Sequence, residues 1–116
     1  MSDVESGFRD ILLTAFDEGL DSIGKNFKDV ILFHVKQRTS LTLDDFPAKP
    51  QEFMSAISGI LGEGSVRVLE RIIVTRLDEI VGVPFEEKPG RGLVEYVEEA
   101  KRVFLKNRGE GLPRGG

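Results

Sequence analysis

The chain has no cysteine, no tryptophan and a single histidine, His34, among its 116 residues. Without cysteine there is no disulfide framework, no thiol nucleophile and no Cys/His zinc site. There is also no run of about 18 apolar residues, the length a membrane-crossing helix needs. The first five residues, Met1-Ser2-Asp3-Val4-Glu5, are acidic where a secretory signal would be basic and then apolar. These absences lead to the expectation of a cytoplasmic protein that does not engage a membrane. The lack of Cys and Trp, beside many Glu, Lys and Arg, is compatible with a thermophilic source.

Positive charge is also in short supply. The formal net charge is −4, which argues against a surface built throughout for phosphate contacts. The charge is unevenly spread: residues 1–35 carry −4, and residues 100–116, with Lys101, Arg102, Lys106, Arg108 and Arg114 against Glu110, carry +4. An acidic head and a basic tail could attract each other within or between chains, but a solvated tail is the plainer expectation.

What is present is enough for one core. Apolar residues make up 40% and charged residues 31%, a mixture that folds and stays in solution. Phe8, Ile11, Leu12, Ala15, Phe16, Leu20 and Ile23 recur at helical spacing up to Gly24, predicting a first helix. Phe27, Val30, Ile31, His34 and Val35 predict a second, from about Lys25 to Arg38. Asp44, Asp45, Phe46 and Pro47 allow only a short turn, buried through Leu43 and Phe46. Pro50, Phe53, Ile57, Ile60 and Leu61 predict a third helix ending at Gly62. Ser65 is the expected cap of a fourth, with Val66, Leu69, Ile72, Ile73, Leu77 and Ile80 as its stripe and Gly82 as its stop. After a charged, glycine-containing linker, Leu93, Val97, Ala100 and Phe104 predict the last helix. No strand-like alternation competes. The expected fold is all-α, a compact bundle of five main helices plus one short helical turn. It occupies residues 1–107 as a single domain, with residues 108–116 as a flexible basic tail.

The stretch Asp45-Phe46-Pro47-Ala48-Lys49-Pro50, with Phe53, Ile57, Leu61-Gly62-Glu63-Gly64 and the apolar helix from Val66 to Leu77, resembles a small archaeal family. That family is the Nitrosopumilus output domain type, found in archaeal signalling proteins and as small stand-alone proteins. The similarity runs loosely from Phe8 to Lys101. It implies an archaeal cytoplasmic protein, a helical fold and a role in signal output, with no assigned activity or catalytic residue.

The residues themselves offer few chemical constellations. Gly59, Gly62 and Gly64 suggest a phosphate-cradling loop, but they follow a helix and no Lys-Ser or Lys-Thr pair comes after them, so a helix-to-helix turn is expected. The same turn has a helix-turn-helix outline, with Arg67 and Arg71 near the start of its second helix. The helix that follows is apolar nearly all round, however, and a groove-reading helix needs a polar outer face. His34 lies on the apolar stripe of helix two and is expected in or near the core, not at a reacting centre. The carboxylate pairs Asp17-Glu18, Asp44-Asp45, Glu86-Glu87 and Glu98-Glu99 point about 100° apart on a helix and cannot share one proton. No catalytic, cofactor-binding or metal-binding residue is expected.

Val68, Val74 and Val103 lie beside the main stripes, and Phe33 and Phe85 add further bulk. Excess apolar surface of this kind marks a partner or a symmetric mate. The sequence therefore points to a non-catalytic protein-interaction or signal-output module, expected to form a homodimer through the fourth and last helices or to bind another protein. Its candidate partner-binding residues are Val68, Val74, Val103 and Phe85. The alternative is a nucleic-acid-binding regulator using Arg67, Arg71, Lys101 and Arg102, joined by Lys106 and Arg108.

Overall fold

The computed structural model describes residues 3–107, so the expected basic tail lies outside the described residues. Five α-helices follow one another: α1 (Asp3–Ile23), α2 (Lys25–Thr39), α3 (Pro50–Leu61), α4 (Glu63–Val81) and α5 (Leu93–Asn107). A single 3-10 turn, Leu43–Asp45, links α2 to α3. No strand occurs among the described residues. The all-α fold and the five helices agree with the apolar spacing.

α4 departs from expectation at its start. It begins at Glu63, so Ser65 lies inside the first turn and caps nothing. The cap position is Gly62, whose φ of 94° no side-chain-bearing residue adopts cheaply. That freedom lets the chain leave α3 and re-enter a helix through one residue, which moves the start of α4 upstream.

α1 and α4 form the most extensive helix pair, α5 packs on both, and α3 rests on α2 and α4. The 3-10 turn closes the base. The Thr42 N–H donates to Asp45 Oδ2 at 2.8 Å, a capping arrangement that turns Phe46 inward. Phe46 stacks on Phe16 with centroids 3.9 Å apart, and both meet Phe53 edge-on. All three rings are fully buried.

α2 packs against α1 and α3 through Ile31 and Val35. His34 is exposed, contrary to the expectation from sequence. At 100° per residue it lies about 80° round the helix from the line through Ile31 and Val35. It meets the Phe33 ring edge-on at 5.4 Å instead of entering the core.

Candidate functional site

Polar side-chain contacts gather around the segment between α4 and α5. Gly82, with φ of 98°, ends α4, and the Gly82 and Val83 N–H groups both donate to the Asp78 carbonyl, at 2.8 and 2.9 Å. The chain then runs as a strap, residues 83–92, back across α4 to the start of α5. Side chains fasten it. Tyr96 Oη accepts from the Lys88 N–H at 2.8 Å and donates to the Lys88 carbonyl at 3.2 Å. Arg91 donates to Glu99, and its guanidinium lies 5.8 Å from the centre of the Tyr96 ring. Lys88 Nζ lies between Glu86 and Glu99, at 3.7 and 3.6 Å. Arg71 of α4 reaches up to Glu87 at 3.5 Å and lies over the Phe85 ring at 5.9 Å.

Clefts open on both sides of the strap. On the α3 side, a 510 Å³ cleft lined by Gln51, Ser55, Ser58 and Arg67 adjoins one of 220 Å³ lined by Arg71, Phe85 and Tyr96. Arg67, Glu70, Gly90 and Arg91 line both. Glu70 is half-buried, and burial pushes its carboxyl up while the Arg67 charge opposes the shift. On the other side, a 210 Å³ cavity lies under Val83 and Pro84, walled by Tyr96, Ala100 and Val103, with Asp78 in its lining. Asp78 is only 9% exposed. Its carboxyl is raised to about 6, first by burial and then by the nearby Glu99 charge, with Lys88 opposing. Glu99 is held below the usual carboxylate range, chiefly by its hydrogen bond from Arg91.

The structure gathers some of the sequence candidates and scatters others. Arg67, Arg71 and Phe85 meet in the α3-side clefts. Val74 is not a surface residue: it is 1% exposed and lies at the cleft that Phe85 of the strap and Leu93 and Tyr96 of α5 also line. Val68 is 60% exposed, and Val103 is a half-buried wall of the Asp78 cavity. Arg102 is exposed on α5. Lys101 follows Glu99 by two residues, which puts it about 160° round that helix, in a cleft with Phe8 and Arg9. Lys101 and Arg91 therefore look out from opposite flanks of α5. Arg108 lies outside the described residues.

Sequence reading missed Asp78, Lys88, Arg91, Tyr96 and Glu99. No periodic signal marked Asp78, which at 100° per residue lies beyond Val74 and outside the main stripe of α4. The strap gave none, since its ties are made across space by a segment without periodicity. Among the described residues no group of three or more His, Asp or Glu is placed to hold a metal ion, and no helix is long and apolar enough to cross a membrane.

Comparison with known proteins locates this arrangement in a family. The chain is similar to PH0832 of Pyrococcus horikoshii OT3, whose crystal structure superposes with a TM-score of 0.71 at 26% identity, covering 84% of this chain and 97% of that one. No curated protein matches it. The family model described as Nitrosopumilus output domain 5 matches residues 6–101, nearly the whole described bundle. The chain belongs to the Nitrosopumilus output domain 5 family.

Proposed function

We propose that this protein is a non-catalytic output module that acts by binding another protein chain through an apolar helical face. The observation that carries this reading is the outer surface of α2, where Val30 and Phe33 are 52% and 58% exposed. Phe33 points directly away from the buried line of its helix, and Val30 lies about 60° from it. Two large apolar side chains side by side on an edge helix are a contact surface in search of cover. The face named from sequence, on α4 and α5, supports the reading less, because Val74 is core and Phe85 is engaged by Arg71 and Tyr96.

A second copy of the chain is the partner this face suits best. Asp29 stands about one turn before Phe33 and Lys36 about one turn after it; both are exposed and neither makes an ion pair among the described residues. Two α2 helices packed antiparallel across a two-fold axis near Phe33 set each Asp29 against the other copy's Lys36. A single helix pair buries less than the standard interface of about 1,600 Å², so a reversible dimer is expected.

Sedimentation equilibrium between about 10 and 300 µM, with circular dichroism as the check on folding, tests this. The wild-type chain should shift from monomer to dimer over that range, while Phe33→Glu should stay monomeric with unchanged helicity. A strictly monomeric wild type at the top concentration removes the second copy as partner. The nucleic-acid reading has less support: Arg71 is turned to Glu87 and Phe85, and Lys101 lies apart from Arg67 and Arg71, in a cleft with Phe8 and Arg9.

A further inference from the structure

We propose that the cavity between α4, α5 and the strap is a binding site for a small organic amine, whose ammonium group pairs with the buried carboxylate of Asp78.

The first support is an imbalance of partners. Asp78 is nine-tenths buried and lines the cavity, yet its side chain makes no hydrogen bond or ion pair among the described residues. A buried carboxylate left in this state is strongly disfavoured, and native structures supply it with a donor or a counter-ion. The neighbouring groups do not do so. Lys88 Nζ is drawn to Glu86 and Glu99 instead, and Glu99 is already held by Arg91. Tyr96 Oη is committed to the Lys88 backbone in both directions.

The second support is the character of the lining. Of the acids in the lining, Glu99 is held by Arg91 and Lys88 and the exposed Glu86 by Lys88, which leaves Asp78 as the carboxylate without a cation among the described residues. The electrostatic deficit is for positive charge. The remaining walls are Val83, Pro84, Ala100, Val103 and the Tyr96 ring, which suit a hydrocarbon body and offer nothing to a hydrated ion. A hard metal cation is a poor fit, since no three acidic or imidazole groups converge among the described residues. Pockets for drug-sized ligands measure about 300–1,000 Å³, and this cavity measures 210 Å³, so its occupant is a short alkylamine or diamine. The aromatic wall adds cation–π attraction for a charged nitrogen.

The site is distinct from the outer face of α2 and does not depend on self-association. Its test is a ¹⁵N heteronuclear correlation titration of the full chain with n-butylammonium chloride at pH 7.5, with sodium chloride at matched ionic strength as the blank. Saturable shifts confined to the amides of Asp78, Val83, Lys88, Tyr96, Glu99 and Val103 are expected, with a dissociation constant in the low millimolar range or tighter. Affinity should fall about tenfold at pH 5, where Asp78 takes up a proton while Glu99, the acid facing it from α5, is held ionised by Arg91. Asp78→Asn should abolish the saturable response. Val103→Phe, which fills the cavity from its half-exposed wall and leaves the carboxylate in place, should abolish it too. Shifts no larger than the sodium blank, or undiminished binding by both variants, overturn the proposal.

Discussion

The floor of the bundle and the strap over α4 are held in place by opposite means. Beneath α1, Phe16, Phe46 and Phe53 form a closed aromatic cluster with no polar atom inside it, and all three rings are fully buried. Over α4, residues 83–92 contain no helical turn, and side-chain ties to Tyr96, Glu99 and Arg71 hold them down. The first region is stabilised by area removed from water, the second by hydrogen bonds and charge pairs that are individually weak and screened by salt. A fold needs the first kind of region, whereas a site that opens or exchanges occupants needs the second.

The largest effect should come from breaking the aromatic floor. Phe46 sits between two rings and is delivered by a turn with only one helical repeat of its own. Phe46→Ala removes the stack and leaves a cavity beside the buried Phe16 and Phe53 rings, so a loss of about 3–5 kcal/mol is expected. Urea denaturation should show it as a lower midpoint with an unchanged slope. A loss under about 1 kcal/mol would mean that the floor is no more rigid than the strap.

Asp78 should show the reverse sign. Its carboxyl lies at about 6 in the folded chain against an ordinary value of 3.8. The folded state therefore holds the proton more tightly than the unfolded one. Stability from this group is fullest below about pH 4, is lost as pH rises through 6, and stays low above it. At pH 7 the charged carboxyl costs about 3 kcal/mol if the whole shift is counted. Asp78→Asn exchanges that charge for a neutral amide with its own unmet hydrogen bonds. The variant should therefore gain roughly 1–2 kcal/mol at pH 7, and its excess over wild type should vanish near pH 4. Thermal melts of both proteins from pH 4 to 8 provide the comparison, and parallel curves would show that Asp78 is not a strained group.

The same contrast explains what could be read in the sequence. The helices were legible because Phe16, Phe53, Leu69 and Ile73 repeat at the helical period, and burial enforces that period. Val74 could not be assigned correctly from its helix alone. On an isolated α4 it lies at the margin of the stripe, whereas in the folded chain it is core, beside the cleft that Phe85, Leu93 and Tyr96 line with it. His34 failed for the converse reason: its spacing fits the stripe, but α2 packs chiefly on α1 and α3 and its buried arc is narrow. The site was hidden more completely. Asp78, Glu99 and Lys88 belong to three segments, and no local pattern couples an acid in the last turn of α4 to a lysine ten residues later. Arg67 and Arg71 were visible as a pair four apart, but the acid and the ring that occupy Arg71 lie in the unpatterned strap.

The smallest and most discriminating change is Tyr96→Phe. The ring stays, so its contacts with Phe85 and Arg91 survive. Only the hydroxyl that bridges the Lys88 N–H and carbonyl is lost. A hydrogen bond of this kind contributes about 0.5–1.5 kcal/mol, and the strap is open enough for water to replace part of it, so global stability should fall by no more than about 1 kcal/mol. The local effect should be larger than the global one. Because the strap rests on separate ties, removing one lets residues 83–92 open without unfolding the helices. Hydrogen exchange at the Lys88 amide should then accelerate about tenfold, while the amides of Phe16 and Phe53 keep their protection. Equal acceleration at all three would show that the strap and the aromatic floor open as one unit, and that a ligand under Val83 and Pro84 could enter only through global unfolding.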